Sequence, residues 1–148
     1  MATKMRTSAL IQLVIREVST NTAVRALVGD RVFASYPRVS DVTKIQFPIV
    51  VVSAMSGGSA RYSGALQDAR LAVCVYDQTS QGKASDLYDT VFAALHTARL
   101  ISTVTKTGGA KANALAGYAR EVVRPSTAWS EDVGAWYSEG TWVVMVAG

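Results

Sequence analysis

The stretch RLAVCVYD, residues 70–77, decides the fold of this chain. Successive side chains of a strand point to opposite faces of a sheet, and here both alternating sets are mainly apolar. Residues 47–54 and 141–147 repeat the pattern. A sheet that is apolar on both faces normally has helices on each side, and this chain has too few helical segments for that. The pattern therefore predicts that a neighbouring subunit covers one face of the sheet.

Helical periodicity and turn residues place the other elements around this strand. They predict a first helix ending near Val18, a short helix from Ala23 to Val28 that Gly29 ends, and a main helix over residues 83–99. Strands are predicted at 31–36, 47–55, 66–76, 117–129 and 135–147, and a polar, basic loop at 103–113. This order predicts one α+β domain over residues 1–148. Its sheet is mainly antiparallel with four to five strands, and an N-terminal helix and one main helix pack on it.

The composition is that of a globular protein. Hydrophobic residues make up 49% of the chain and charged residues 18%, which excludes a disordered chain. No run approaches the roughly 20 apolar residues that a membrane span requires, so we expect a cytoplasmic protein without membrane contact. The net charge of +4 comes from scattered basic residues, mostly in the first half of the chain. That distribution leaves a small nucleic-acid-binding domain open as an alternative function.

Side chains suited to catalysis or metal binding are scarce. The only cysteine, Cys74, falls within a predicted strand, and the only histidine, His96, falls near the end of the main helix, where we expect a surface or capping role. The glycine pairs at 57–58 and 108–109 lack the Lys-Ser/Thr that completes a phosphate-binding loop. The sequence therefore predicts a protein that is not an enzyme, with no catalytic residues, no metal site and no cofactor.

Two loops are candidate contact surfaces. The first, residues 56–64, carries Arg61 and Tyr62 beside the flexible Gly57 and Gly58. Arginine and aromatic side chains are favoured at binding hot spots. The second loop carries Lys106 and Lys111. Both loops could also be ordinary connections between strands.

Aromatic residues crowd the predicted C-terminal hairpin. Two interpretations remain open: cross-strand packing within the core, or a subunit contact, where tryptophan and tyrosine are enriched. The candidate subunit-interface residues are Trp136, Tyr137 and Trp142.

Four segments, taken in order, resemble one protein family. They are residues 23–33 (AVRALVGDRVF), 47–52 (FPIVVV), 69–77 (ARLAVCVYD) and the main helix with its apolar positions Ala84, Leu87, Val91, Ala94 and Leu95. In this order and spacing, the chain resembles the tail terminator, or tail-completion, proteins of long-tailed bacteriophages and gene transfer particles. The segment 101–117 is longer and richer in Lys, Gly and Ala than that family leads us to expect.

The resemblance implies an assembly role without catalysis. Such proteins form a ring, typically a hexamer, at the head-proximal end of the tail tube, where the ring ends tube polymerisation and joins the tail to the head neck. The implied partners are further copies of the chain, the tail tube protein and a head-neck connector or stopper protein, with DNA passing through the lumen. The implied location is the virion tail or neck, and the host cytoplasm during assembly. A head-completion or adaptor protein of the neck is the alternative within the same particle.

Overall fold

A computed structural model of the chain describes residues 7–37, 45–54, 61–63, 66–96, 99–105 and 111–147. It contains three helices and eight strands in these ranges. In chain order they are α1 (Thr7–Thr20), α2 (Thr22–Val28), β1 (Val32–Phe33), β2 (Ile49–Ala54), β3 (Arg61–Ser63), β4 (Leu66–Asp77), α3 (Gln81–Leu95), β5 (Arg99–Thr105), β6 (Lys111–Val123), β7 (Thr127–Ser130) and β8 (Ala135–Ala147).

The strands form one sheet in the order β1-β2-β4-β8-β6-β5, and β3 and β7 pair at its margins with β4 and β8. Among these named strands, β1 pairs parallel with β2 and the other pairs are antiparallel. The centre of the sheet is the long β4–β8 pair, which runs from Leu66 opposite Ala147 to Asp77 opposite Trp136. The predicted α+β fold with a mainly antiparallel sheet is confirmed, and the sheet is larger than the four to five strands expected.

Local sequence signals set where the helices begin and end. The Asn21 side chain accepts a hydrogen bond from the Val24 N–H at 3.1 Å and so begins α2, and Gly29, at φ 62°, ends it. The Ser80 hydroxyl accepts from the Lys83 N–H at 3.1 Å and begins α3. Side chains of this kind satisfy amide groups that the first helical turn leaves unpaired. The main helix ends at Leu95, earlier than predicted, and His96 after it takes an extended conformation. None of the helices in the described ranges is long and apolar enough to cross a bilayer.

One face of the sheet, called here the helix face, packs against the three helices. Its core combines the four-residue spacing of α1 (Leu10, Val14, Val18) with alternate residues of the central strands. The buried strand residues of this core are Val50, Val52, Leu71, Val73, Val75, Ala119, Trp142 and Val144. Large side chains that are fully buried in this way supply most of the stabilisation of a domain of this size.

The opposite face of the sheet is partly covered within the same chain. Val51, Ala72 and Cys74 lie on this face, and each is less than a tenth exposed. Tyr36, which follows β1, packs edge-on against Tyr76 with ring centroids 5.3 Å apart. The expectation that a neighbouring subunit must cover this whole face is therefore wrong for its β2–β4 part. Among the residues whose side chains the structure describes, the exposed apolar ones on or beside this face lie on β6 and at the far end of β8.

Two strand predictions need correction. The predicted loop at 103–113 contains the end of β5 and the start of β6, which pair from Arg99 opposite Tyr118 to Thr105 opposite Lys111. Alternating β-branched residues in Leu100–Thr105 favour a strand there. The predicted strand at 117–129 is two strands, β6 and β7, because Pro125 cannot donate to a ladder. Both pair with β8, which confirms the predicted C-terminal hairpin.

Candidate interaction surface

A buried polar network joins the main helix to the sheet. The Tyr88 hydroxyl on α3 donates to Glu121 Oε2 at 2.5 Å and accepts from Trp142 Nε1 at 3.1 Å. Burial, followed by the hydrogen bond to Glu121, raises the pKa of the Tyr88 hydroxyl. The neutral Tyr88 hydroxyl both donates and accepts a hydrogen bond. It therefore holds α3 in place over β8 and β6. The network is a structural connection between α3 and the sheet.

Strand alternation separates the three predicted interface residues. Trp142 is fully buried in the core, so it lies inside the subunit and is unavailable for a subunit contact. Trp136 lies on the helix face, opposite Trp129 on β7. Tyr137 lies on the other face and packs on Tyr76, with ring centroids 6.2 Å apart. The sequence grouped these residues by proximity along the chain, whereas the period of two along β8 assigns them to different environments.

The predicted contact loops fall partly in strands and partly outside the described residues. Arg61 and Tyr62 belong to β3, opposite Asp68 and Gln67 of β4, and Lys111 is the first residue of β6. Gly57, Gly58 and Lys106 lie outside the described residues. The register puts the β3–β4 and β5–β6 hairpins at the same end of the sheet, where β8 finishes. Two stretches that are distant in sequence are thus brought to one end of the molecule.

His96 ends the main helix. The backbone N–H of His96 donates to the backbone carbonyl of Phe92 at 2.8 Å. The imidazole ring stacks on the Phe92 ring with centroids 4.6 Å apart. The predicted capping role is confirmed. In the part of the chain that the structure describes, no three His, Cys, Asp or Glu side chains converge as a metal site would require.

Cys74 lies in mid-strand and is 7% exposed. Burial raises the pKa of its thiol to about 12. Because the thiolate is the reactive form of cysteine, this thiol is held in its unreactive state. Its place among apolar neighbours on β4 makes it a packing residue.

Alkaline pH should destabilise the protein through Cys74. An unfolded thiol titrates near pH 8.5, and the folded one near pH 12. The stabilisation is therefore complete below the unfolded pKa and is lost as pH rises towards the folded pKa, at up to about 1.4 kcal/mol per pH unit. We expect the free energy of unfolding to fall between about pH 8.5 and about pH 10 in urea titrations. The fall should be clearly smaller in Cys74→Ala, and equal slopes in the two proteins would contradict this assignment.

Two groups of exposed apolar residues lie at opposite ends of β8. Trp129 at the β7–β8 end is 42% exposed, and its ring packs edge-on against Trp136 with centroids 5.3 Å apart. At the other end of β8, on the face away from the helices, Tyr118 and Met145 are each 43% exposed. They are register neighbours on β6 and β8. Exposed apolar groups beside charged residues are typical of protein–protein contact surfaces.

Comparison with known proteins gives a structural likeness and no match in sequence. No protein-family model and no curated protein matches the chain. Among solved structures, it is similar to a protein chain in the virion of a native gene transfer agent (GTA) particle. The TM-score is 0.70 over 99% of this chain and 100% of that one, at 14% identity. This chain has the fold of a gene transfer agent virion protein.

At that identity the likeness establishes the shared fold. Low identity and a shared fold are compatible because a core tolerates many substitutions that keep its volume and its apolar pattern. The expected likeness to proteins of gene transfer particles is therefore confirmed for the fold, and membership of the tail terminator proteins stays a prediction.

Proposed function

We propose that this chain is a structural virion protein, not an enzyme, that forms a ring at the head-proximal end of a phage-type tail tube. There it ends tube polymerisation and joins the tail to the head neck. The observation that carries the proposal is the fold likeness to a GTA virion chain, which spans the full length of both proteins. Because one fold can host several functions, the surfaces of this chain supply the remaining support.

Those surfaces favour repeated contacts with other proteins. Exposed apolar residues lie at both ends of β8, and a contact between two different surfaces of one protein generates a closed ring when its rotation closes. The buried polar groups described above are committed to holding α3 on the sheet. These buried groups therefore stabilise the subunit, and the exposed surfaces are left for contacts with other proteins.

The end of the sheet that carries the β3–β4 and β5–β6 hairpins is the proposed contact with the tail tube and the neck connector. Arg61 and Tyr62 belong to the first hairpin, and Lys111 belongs to the second. The register brings the two hairpins to the same end, so one ring surface would present both. Lys106 and Lys111 would also be available to DNA passing through the lumen.

Ring formation is the property to measure first. Light scattering of the purified protein over a range of concentrations, with negative-stain images of the same samples, should show closed rings of uniform mass. Dilution should convert the rings into monomers, without open filaments of increasing length. A protein that stays monomeric at every concentration would contradict the ring and favour an adaptor role in the neck.

A further inference from the structure

The turn between β7 and β8 carries an acidic, aromatic surface, called here the acidic tip: Trp129, Glu131, Asp132 and Trp136. Glu131 and Asp132 are exposed. The turn is held by two hydrogen bonds, from the Gly134 N–H to the Ser130 carbonyl at 2.8 Å and from the Val133 N–H to the Ser130 hydroxyl at 3.3 Å. Gly134 takes φ 72°, a conformation that glycine adopts without strain. The tip is thus ordered before any partner binds.

The far end of β8 carries a surface of opposite charge, called here the basic patch: Arg70, Tyr118, Arg120, Val143 and Met145. Arg70 and Arg120 are exposed and stand on either side of Val143 in the register. Tyr118 and Met145 form the next row of the same face. In the register of that row, Arg99 is opposite Tyr118 and Asp68 is opposite Met145, so the two rows hold three arginine positions and one aspartate position.

The two surfaces are too far apart to neutralise each other within one subunit. Trp136 and Val143 are separated along β8 by about 23 Å, at about 3.3 Å per residue. Surface charges at that distance are screened at physiological salt, where the Debye length is about 8 Å. Among residues 10–37, 45–54, 70–96 and 118–145, whose side chains the structure describes, one ion pair joins Arg124 and Asp89, and the four charged residues of the tip and patch have no ion-pair partner within those ranges. Each surface therefore has both charge and apolar area available to another molecule.

We propose that the acidic tip of one subunit docks on the basic patch of the next subunit, and that this contact builds the ring. The inference rests on the proposed function and names the partner as a second copy of this chain. The carboxylates of Glu131 and Asp132 would pair with the guanidinium groups of Arg70 and Arg120, while the Trp129–Trp136 pair packs on Tyr118 and Met145. The two surfaces have opposite charge, and both expose apolar area. Surfaces of like charge would repel each other, whereas opposite charges attract and fix the register of the contact.

The arrangement is compatible with a ring. A tip that binds a different surface of the next subunit makes a head-to-tail contact, which closes into a ring when its rotation closes, whereas a two-fold dimer would make the tip–patch contact twice. Placing the two surfaces at opposite ends of β8 gives each subunit one donor end and one acceptor end. Tryptophan, tyrosine and arginine are the side chains enriched at binding hot spots, and a preformed turn loses little freedom on binding.

Charge reversal tests the contact. A tip variant (Glu131→Lys with Asp132→Lys) and a patch variant (Arg70→Glu with Arg120→Glu) should each raise the concentration needed for half assembly by about tenfold or more. The matched controls, Asp30→Lys with Asp86→Lys and Arg25→Glu with Lys83→Glu, make the same charge changes at exposed positions on or beside the helices. The controls should assemble like the wild type in light scattering.

Recombining the variants separates a direct contact from a general effect of charge. A chain that carries both reversals should assemble again, because the positive tip then meets a negative patch. A mixture of the tip variant and the patch variant should also assemble, as an alternating ring. If the wild type forms rings and either reversal leaves assembly unchanged, or neither recombination restores it, the docking is overturned while the ring stands. A wild type that never forms rings overturns both.

Discussion

Replacing Trp142 by alanine is expected to lower the free energy of unfolding by about 3–5 kcal/mol. Trp142 is fully buried and packs against Phe92 of α3, with ring centroids 5.7 Å apart. The substitution removes that packing, leaves a cavity beneath the main helix and takes away the N–H that the Tyr88 hydroxyl accepts at 3.1 Å. A loss of this size is a large fraction of the stability of an ordinary domain.

Urea unfolding followed by far-ultraviolet circular dichroism measures this loss. Trp129→Ala is the matched control, because Trp129 is the same side chain at an exposed position. It should cost less than about 1.5 kcal/mol, the contribution of its edge-on contact with Trp136. Similar losses in the two variants would show that Trp142 is not the central core residue that its burial indicates.

Gly140→Ala is expected to be destabilising by about 1–3 kcal/mol or more, through overpacking. A Cβ at this position would clash with the Tyr88 hydroxyl and lie 2.7 Å from Tyr88 Cζ. The tyrosine has little room to move, because it is 2% exposed and its hydroxyl is bonded to both Glu121 and Trp142. Glycine is therefore required at 140 by the space available and not by backbone conformation.

The control for this substitution is Gly82→Ala on α3, where the added Cβ meets only the Ser80 hydroxyl at 4.0 Å. That variant should be as stable as the wild type or more stable by up to about 1 kcal/mol, because alanine is the better helix former. In a Tyr88→Ala background the cost of Gly140→Ala should largely disappear, since the clashing ring is gone. An unchanged cost in that background would place the strain elsewhere.

The proposed contact surfaces lie at both ends of the sheet. The hairpins proposed to reach the tube and the neck lie where β8 finishes, beside the basic patch, and the acidic tip lies where β8 begins. The contact with a neighbouring subunit and the axial contacts are therefore adjacent at the end where β8 finishes. The variants of the tip and patch and the core variants therefore affect different measurements: assembly in the first case and subunit stability in the second.

Much of the fold could be predicted from the sequence, because its signals are local. The alternation in residues 70–77 places β4, the spacing of Leu10, Val14 and Val18 places α1, and the caps Ser80 and Gly29 mark where helices begin and end. The short apolar stretches that resemble phage-type assembly proteins also predicted the fold shared with a GTA virion chain. Each of these signals depends on a few neighbouring residues and on the fixed periods of helix and strand.

The contact surfaces depended on the tertiary structure. Trp136, Tyr137 and Trp142 look alike in sequence, but only the register of β8 with β4 shows which of them is buried. Gly140 and Tyr88 are 52 residues apart in the chain, and no local sequence pattern indicates that they approach each other closely. The same holds for Arg70 and Arg120, which become neighbours only across β8. The sequence by itself determined the elements, through periodicity within each segment. The tertiary structure decided which side chains meet, because pairing of distant strands brings together residues that no local pattern connects.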